Sequence, residues 1–87
     1  MNNERRNELN DVVDSIDEAI DRLAEISSDE LEAFENLPEG LQYSARGDKM
    51  QAYADEMDSI VQDLENAKER IKTIINPRKS SKKTLNL

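Results

Sequence analysis

Cysteine, histidine and tryptophan are absent from the 87 residues, and there is one phenylalanine, two tyrosines, two glycines and two prolines. Without cysteine or histidine the chain has no thiol nucleophile, no imidazole base, no disulfide and no zinc site of the Cys/His kind. So few aromatics in an acidic chain exclude a basic surface that stacks nucleobases. No glycine-rich phosphate loop is present. No apolar run approaches the roughly 20 residues that a bilayer-spanning helix needs. The opening Met1-Asn2-Asn3-Glu4-Arg5-Arg6 lacks the apolar core of a signal peptide, which makes the cytoplasm the expected location. A chain this short also has little interior for an enclosed active site.

What the sequence does have is charge and helical rhythm. Twenty acids stand against 12 bases, a net of −8. Met50, Tyr53, Met57, Ile60, Leu64, Ala67, Ile71 and Ile74 recur at alternating intervals of three and four residues. That spacing predicts a helix with a heptad seam. Asp48 at its start and Lys68, Arg70 and Lys72 near its end suit the helix macrodipole. Asn76-Pro77 stops it, because proline disfavours helical geometry in the residue before it.

The first stretch carries the same rhythm in Leu9, Val12, Ile16, Ala19, Leu23, Ile26, Glu30, Ala33 and Leu37. Val13, Ile20 and Phe34 lie beside this seam, so the apolar face is wider than a two-stranded coil requires. Ser27 and Glu30 have capping-box spacing, where a helix can break and restart. The apolar phase nevertheless runs on to Leu37, which favours one helix, bent at most. Glu30 on the seam is expected to face solvent at that bend rather than to fix register.

The expected fold is all-α: an antiparallel two-helix hairpin, coiled-coil-like, over residues 1–76. Its helices cover about 3–37 and 48–75, joined by the linker 38–47, and a flexible basic tail occupies 77–87. Short links favour antiparallel neighbours. Ser44 or Asp48 caps the second helix, and Leu41 and Tyr43 are expected to fold back over the connected end. A lone pair of helices would leave Val13, Ile20, Phe34, Val61 and Ile75 half wet, while chain entropy of about 1–2 kcal/mol per residue has to be offset. A second copy is therefore expected to complete a four-helix bundle. Leu9, Ile16, Ile20, Leu23, Met57, Ile60, Leu64 and Ile71 are the core and dimer residues of this reading.

The acids form the candidate partner surface. Glu8, Asp11, Asp14, Glu18, Asp21, Glu25, Asp29 and Glu32 recur three and four apart along the first helix, opposite the seam, with Arg22 placed to pair with Glu18. Residues 1–65 hold 19 acids and five bases, a net of −14, whereas the stretch from Pro77 holds four bases and no acid. Such a stripe is commonly no more than a solvated face. It can also imitate nucleic acid: its carboxylates advance about 4.5–6 Å each, against about 3.4 Å per phosphate along a DNA strand. A carboxylate metal site is a third reading, but it needs acids pointing inward, and only Glu30 lies on the seam. No cofactor, metal or catalytic residue is expected, and neither direct nucleic-acid binding nor membrane binding. Arg46-Gly47-Asp48 spells an adhesion tripeptide but reads as the start of a helix.

The run Phe34-Glu35-Asn36-Leu37-Pro38-Glu39-Gly40-Leu41-Gln42-Tyr43-Ser44-Ala45-Arg46-Gly47-Asp48-Lys49-Met50, between two acidic heptad helices, resembles small acidic two-helix proteins of bacteriophages and mobile elements, mainly of Gram-positive hosts. The resemblance spans roughly residues 4–75 and is carried by the linker. It implies an accessory protein that binds and blocks a host protein, and it brings no site residues with it. The expected function is thus inhibition of a host nucleic-acid-processing or defence protein through the acidic stripe. The alternative is a structural or assembly coiled coil without inhibitory activity.

Overall fold

The computed structural model describes residues 1–77, and the sequence-predicted basic tail from Arg78 onward lies outside them. Two long antiparallel helices, α1 (Asn3–Glu35) and α3 (Ala45–Ile75), pack along one another, with a single helical turn, α2 (Glu39–Gln42), between them. α1 starts where Asn2 Oδ1 accepts from the Arg5 amide at 2.8 Å, satisfying one of the free N–H groups of the first turn. It runs through Ser27-Ser28 without interruption. α3 is capped by Ser44, whose Oγ accepts from the Gly47 amide. It therefore begins three residues before the expected Asp48, and it ends at Ile75, just before Asn76-Pro77.

The connection is tighter than a plain loop. The Leu41 and Gln42 amides both donate to Pro38 O, at 2.8 and 3.2 Å. Gln42 Nε2 donates to Glu35 O and Leu37 O, at 3.2 and 3.1 Å, and so satisfies carbonyls left open at the end of α1. Gly47 is buried against this turn: a Cβ there would lie 2.7 Å from the Gln42 carbonyl carbon and 2.8 Å from Leu41 O. Leu41 and Tyr43 do not fold back over the connected end. Both are exposed, Tyr43 to 81%, because Gln42 and Gly47 already fill the space against the helix ends.

The helices meet along a different seam from the expected one. On α1 the residues turned inward are Leu9, Val13, Ile16, Ile20, Leu23, Ser27, Glu30 and Phe34. On α3 they are Gly47, Met50, Ala54, Met57, Val61, Leu64, Lys68, Ile71 and Ile75. Both sets keep the three–four alternation and fill heptad positions a and d. Val12, Ala19, Ile26 and Ala33, assigned to the seam by spacing, are exposed, and so are Tyr53, Ile60 and Ile74. Ile60 is thus not a residue of the hairpin core. Val13 and Ile20, expected half wet, are buried. The displaced residues all take heptad position g, beside the seam. In an antiparallel pair both g rows lie on one flank.

Two polar seam residues decide this phase. Ser27, only 4% exposed, shares its hydroxyl proton between Asp58 Oδ1 at 2.8 Å and Ala54 O at 3.1 Å. Lys68 lays its stem along the seam and places Nζ 2.9 Å from Asp17 Oδ1 and 3.6 Å from Glu65 Oε2. These contacts set Ser27 level with Asp58 and Asp17 level with Lys68. Glu30 is half-buried on the uninterrupted helix rather than turned out at a bend. The side-chain interior is thin: Val13, Ile20 and Ala54 are the buried apolar residues among those described, and none is a large side chain wholly removed from solvent.

Candidate interaction surface

With the seam fixed, the outward faces follow from the heptad. On α1 the position opposite the seam is acidic in five consecutive heptads: Glu4, Asp11, Glu18, Glu25 and Glu32. Asp14, Asp21 and Glu35 lie next to this row, on the side away from the apolar flank. Together they form a ridge whose members are all exposed. Glu8 and Asp29 lie next to the same row on its other side. There they also border the apolar flank, and Glu8 shares a shallow depression with Leu9 and Val12. All eight predicted stripe residues are therefore exposed on or beside this row, six of them in the ridge and two between it and the apolar flank.

The corresponding row on α3 is Ala52, Ser59, Asn66 and Thr73, which carries no charge. Thr73 turns its hydroxyl back to Arg70 O at 2.6 Å. Charge is therefore one-sided. α1 holds twelve acids and three bases, a net of −9, and α3 holds seven and five, a net of −2.

Among the described residues the ion pairs are Lys68 with Asp17 and Glu65, and Lys72 with Glu69. None of them uses a ridge acid, and the expected Glu18–Arg22 pair is not formed. The hydrogen bond that Lys68 donates to Asp17 raises the Lys68 pKa above its ordinary 10.5, opposed in part by desolvation. Among the described residues no three acids converge closely enough to hold a metal ion. No described helix is long and apolar enough to cross a membrane.

No family model, curated protein or solved structure matches this chain. Among the described residues the surface offers no enclosed cleft with converging polar groups. It offers a row of carboxylates along one uninterrupted helix, and an apolar flank roughly a quarter-turn or more around the same helix.

The core residues expected from the sequence divide in the same way. Leu9, Ile16, Ile20 and Leu23 on α1, and Met57, Leu64 and Ile71 on α3, line the seam, while Ile60 belongs to the flank. Sequence reasoning missed Ser27, Asp58, Asp17 and Gln42, which fix register and turn. The capping-box spacing at Ser27 drew attention to that residue for a different reason.

Proposed function

We propose that this protein acts by binding and not by catalysis, as a phage-type accessory protein whose α1 ridge occupies the phosphate-binding groove of a host nucleic-acid-processing or defence protein. In this reading the hairpin pairs with a second copy into a four-helix bundle and works in the bacterial cytoplasm.

The observation that carries the proposal is the placement of the ridge charge. Glu32 and Glu35 lie at the C-terminal end of α1, where the macrodipole disfavours acids by about 0.3–1 kcal/mol each, and no basic residue stands in that last turn. Solubility alone would be served equally by acids spread over both helices. Here they are concentrated on one, in a row running the length of the helix and free of ion-pair partners among the described residues. A basic groove gains from meeting such a row through the same long-range attraction it has for phosphate.

The test is capture of a partner from a Gram-positive host lysate, followed by charge reversal of Asp14, Asp21 and Glu25 together. The captured protein should elute with salt and with added duplex DNA, and the reversed variant should capture nothing while keeping its helix content. Capture that survives both salt and reversal would refute the ridge as the binding surface. A second reading, a structural coiled-coil element without inhibitory activity, is favoured by one specific feature: the apolar flank.

A further inference from the structure

The apolar flank is built from the exposed rows of both helices that lie beside the seam. Counting heptads from the Asp17–Lys68 and Ser27–Asp58 contacts gives four rungs. Val12 comes level with Ile74, Ala19 with Ala67, Ile26 with Ile60, and Ala33 with Tyr53. The larger members are open to solvent: Val12 is 45% exposed, Ile26 52% and Tyr53 58%. Shallow depressions lined by Leu9 and Val12 on α1, and by Ala67, Ile71 and Ile74 on α3, lie at its far end.

We propose that this flank is the docking surface for a second copy of the chain, related by a two-fold axis perpendicular to the helices that passes between the Ala19/Ala67 and Ile26/Ile60 rungs. The proposal rests on the bundle reading above and names its surface and symmetry. Three observations support it. First, apolar residues at a, d and g together are the pattern of a helix with neighbours on two sides, as in a four-helix bundle, and not of a two-stranded coil. Both helices carry it in the same phase.

Second, the flank is large enough. It runs 21 residues, about 32 Å, and is two helices wide, which gives a footprint of roughly 600 Å² per copy. The total of about 1,200 Å² is at the lower bound for a specific interface. A patch of this size is also at the upper end of what monomers leave open.

Third, the rungs are self-complementary. The small Ala19/Ala67 rung adjoins the large Ile26/Ile60 rung. The stated axis lays the Ile26/Ile60 rung of each copy over the Ala19/Ala67 rung of the other, which is how facing layers interdigitate. An axis parallel to the helices would set these two inner rungs large on large and small on small. It would also bring Arg22 near Asp63 of the second copy, but exposed rim pairs are weak, so packing decides. A single foreign helix would span only half the width of the flank. With the stated axis the two α1 helices lie side by side and antiparallel, and both acidic ridges point away from the interface along one edge of the bundle.

Sedimentation equilibrium of the full chain tests this. Wild type should weigh twice the 10.0 kDa chain. Ile26→Asp and Ile60→Asp should each weaken association about thirtyfold or more, with helix content retained. Asp14→Lys, on the ridge, should leave the dimer intact. A wild type that stays monomeric at high concentration overturns self-pairing altogether. A wild-type dimer that both flank variants preserve overturns this flank while leaving self-pairing in place. The axis has its own readout, which does not depend on a destabilising variant. The native chain has no cysteine, so Arg22→Cys gives a single thiol close to the axis. A short bis-maleimide should link it to its twin in high yield, and failure to cross-link a dimeric Arg22→Cys protein overturns the perpendicular two-fold.

Discussion

Val12 and Val13 are the same residue type, adjacent on one helix, and assigned to opposite environments: 45% and 7% exposed. Truncating each to alanine therefore isolates the seam phase. Helix propensity improves equally at both sites, so it cancels from the comparison. Each truncation removes two carbons, worth about 1.6 kcal/mol if fully buried. At Val12 about half of that is realised in the isolated hairpin, roughly 0.8 kcal/mol. At Val13 nearly all of it is, and incomplete collapse of the resulting cavity brings the cost to about 2 kcal/mol. The expected gap is about 1 kcal/mol, with Val13→Ala the less stable. Urea unfolding followed by far-UV circular dichroism, at concentrations low enough to keep the chain monomeric, measures it directly. At high concentration the gap should narrow, because the second copy then covers Val12. Equal losses at low concentration, or a larger loss at Val12, would refute the seam described here and restore the one through Val12 and Ile26.

Other perturbations probe separate parts of the structure. Ser27→Leu should destabilise the hairpin by about 1–3 kcal/mol in thermal melts, because the Ala54 backbone lies 3.1 Å from the hydroxyl and leaves no room for a larger group. Gly47→Ala forces its methyl onto the Gln42 carbonyl and should cost a similar amount, about 1–3 kcal/mol, without altering the helix content of the folded protein. The Lys68 pKa is raised in the folded state, so its contribution is complete below pH 10.5 and is lost as the pH rises through the folded value. Denaturant midpoints should therefore fall on alkaline titration past 10.5, and fall less in Asp17→Asn. Reversal of Asp14, Asp21 and Glu25 should abolish partner capture and leave the melting temperature nearly unchanged, as befits exposed charges.

The helices, their direction and the stop at Asn76-Pro77 could be read from spacing and breakers alone. The seam phase could not, and the reason is visible in the residues. Apolar side chains come in doublets: Val12-Val13, Ala19-Ile20, Ala33-Phe34, Ile60-Val61 and Ile74-Ile75. Either member of each doublet satisfies a three–four alternation. At Ile26-Ser27 and Ala67-Lys68 hydrophobicity even points to the wrong member, because the polar residue is the one turned inward. Ser27 is tolerated there because Asp58 and Ala54 satisfy its hydroxyl, and Lys68 because its ammonium reaches Asp17. Those partners are distant in sequence and act only after the chain has folded back. The same doublets supply the second apolar row that makes the flank.

The acidic ridge was visible as a stripe, since exposed charges need no tertiary information to be placed on one face of a helix. Its edges were not. Glu8 and Asp29 border an apolar flank, because Val12 and Ile26 stay exposed beside the seam instead of entering it. The turn was harder still. Gln42 and Gly47 work through backbone carbonyls of neighbouring segments, and no residue pattern announces such contacts.

Beneath every surface described here is a chain that folds back on itself. The absence of native cysteine allows spin labels at Asn10→Cys and Lys72→Cys, two exposed sites at the same end of the hairpin, with doubly labelled chains diluted in unlabelled protein. Dipolar spectroscopy should return a single distance of about 20 Å or less, two helices apart at most. A distance near 90 Å, that of an uninterrupted helical rod at about 1.5 Å per residue, would contradict the hairpin and everything built on it.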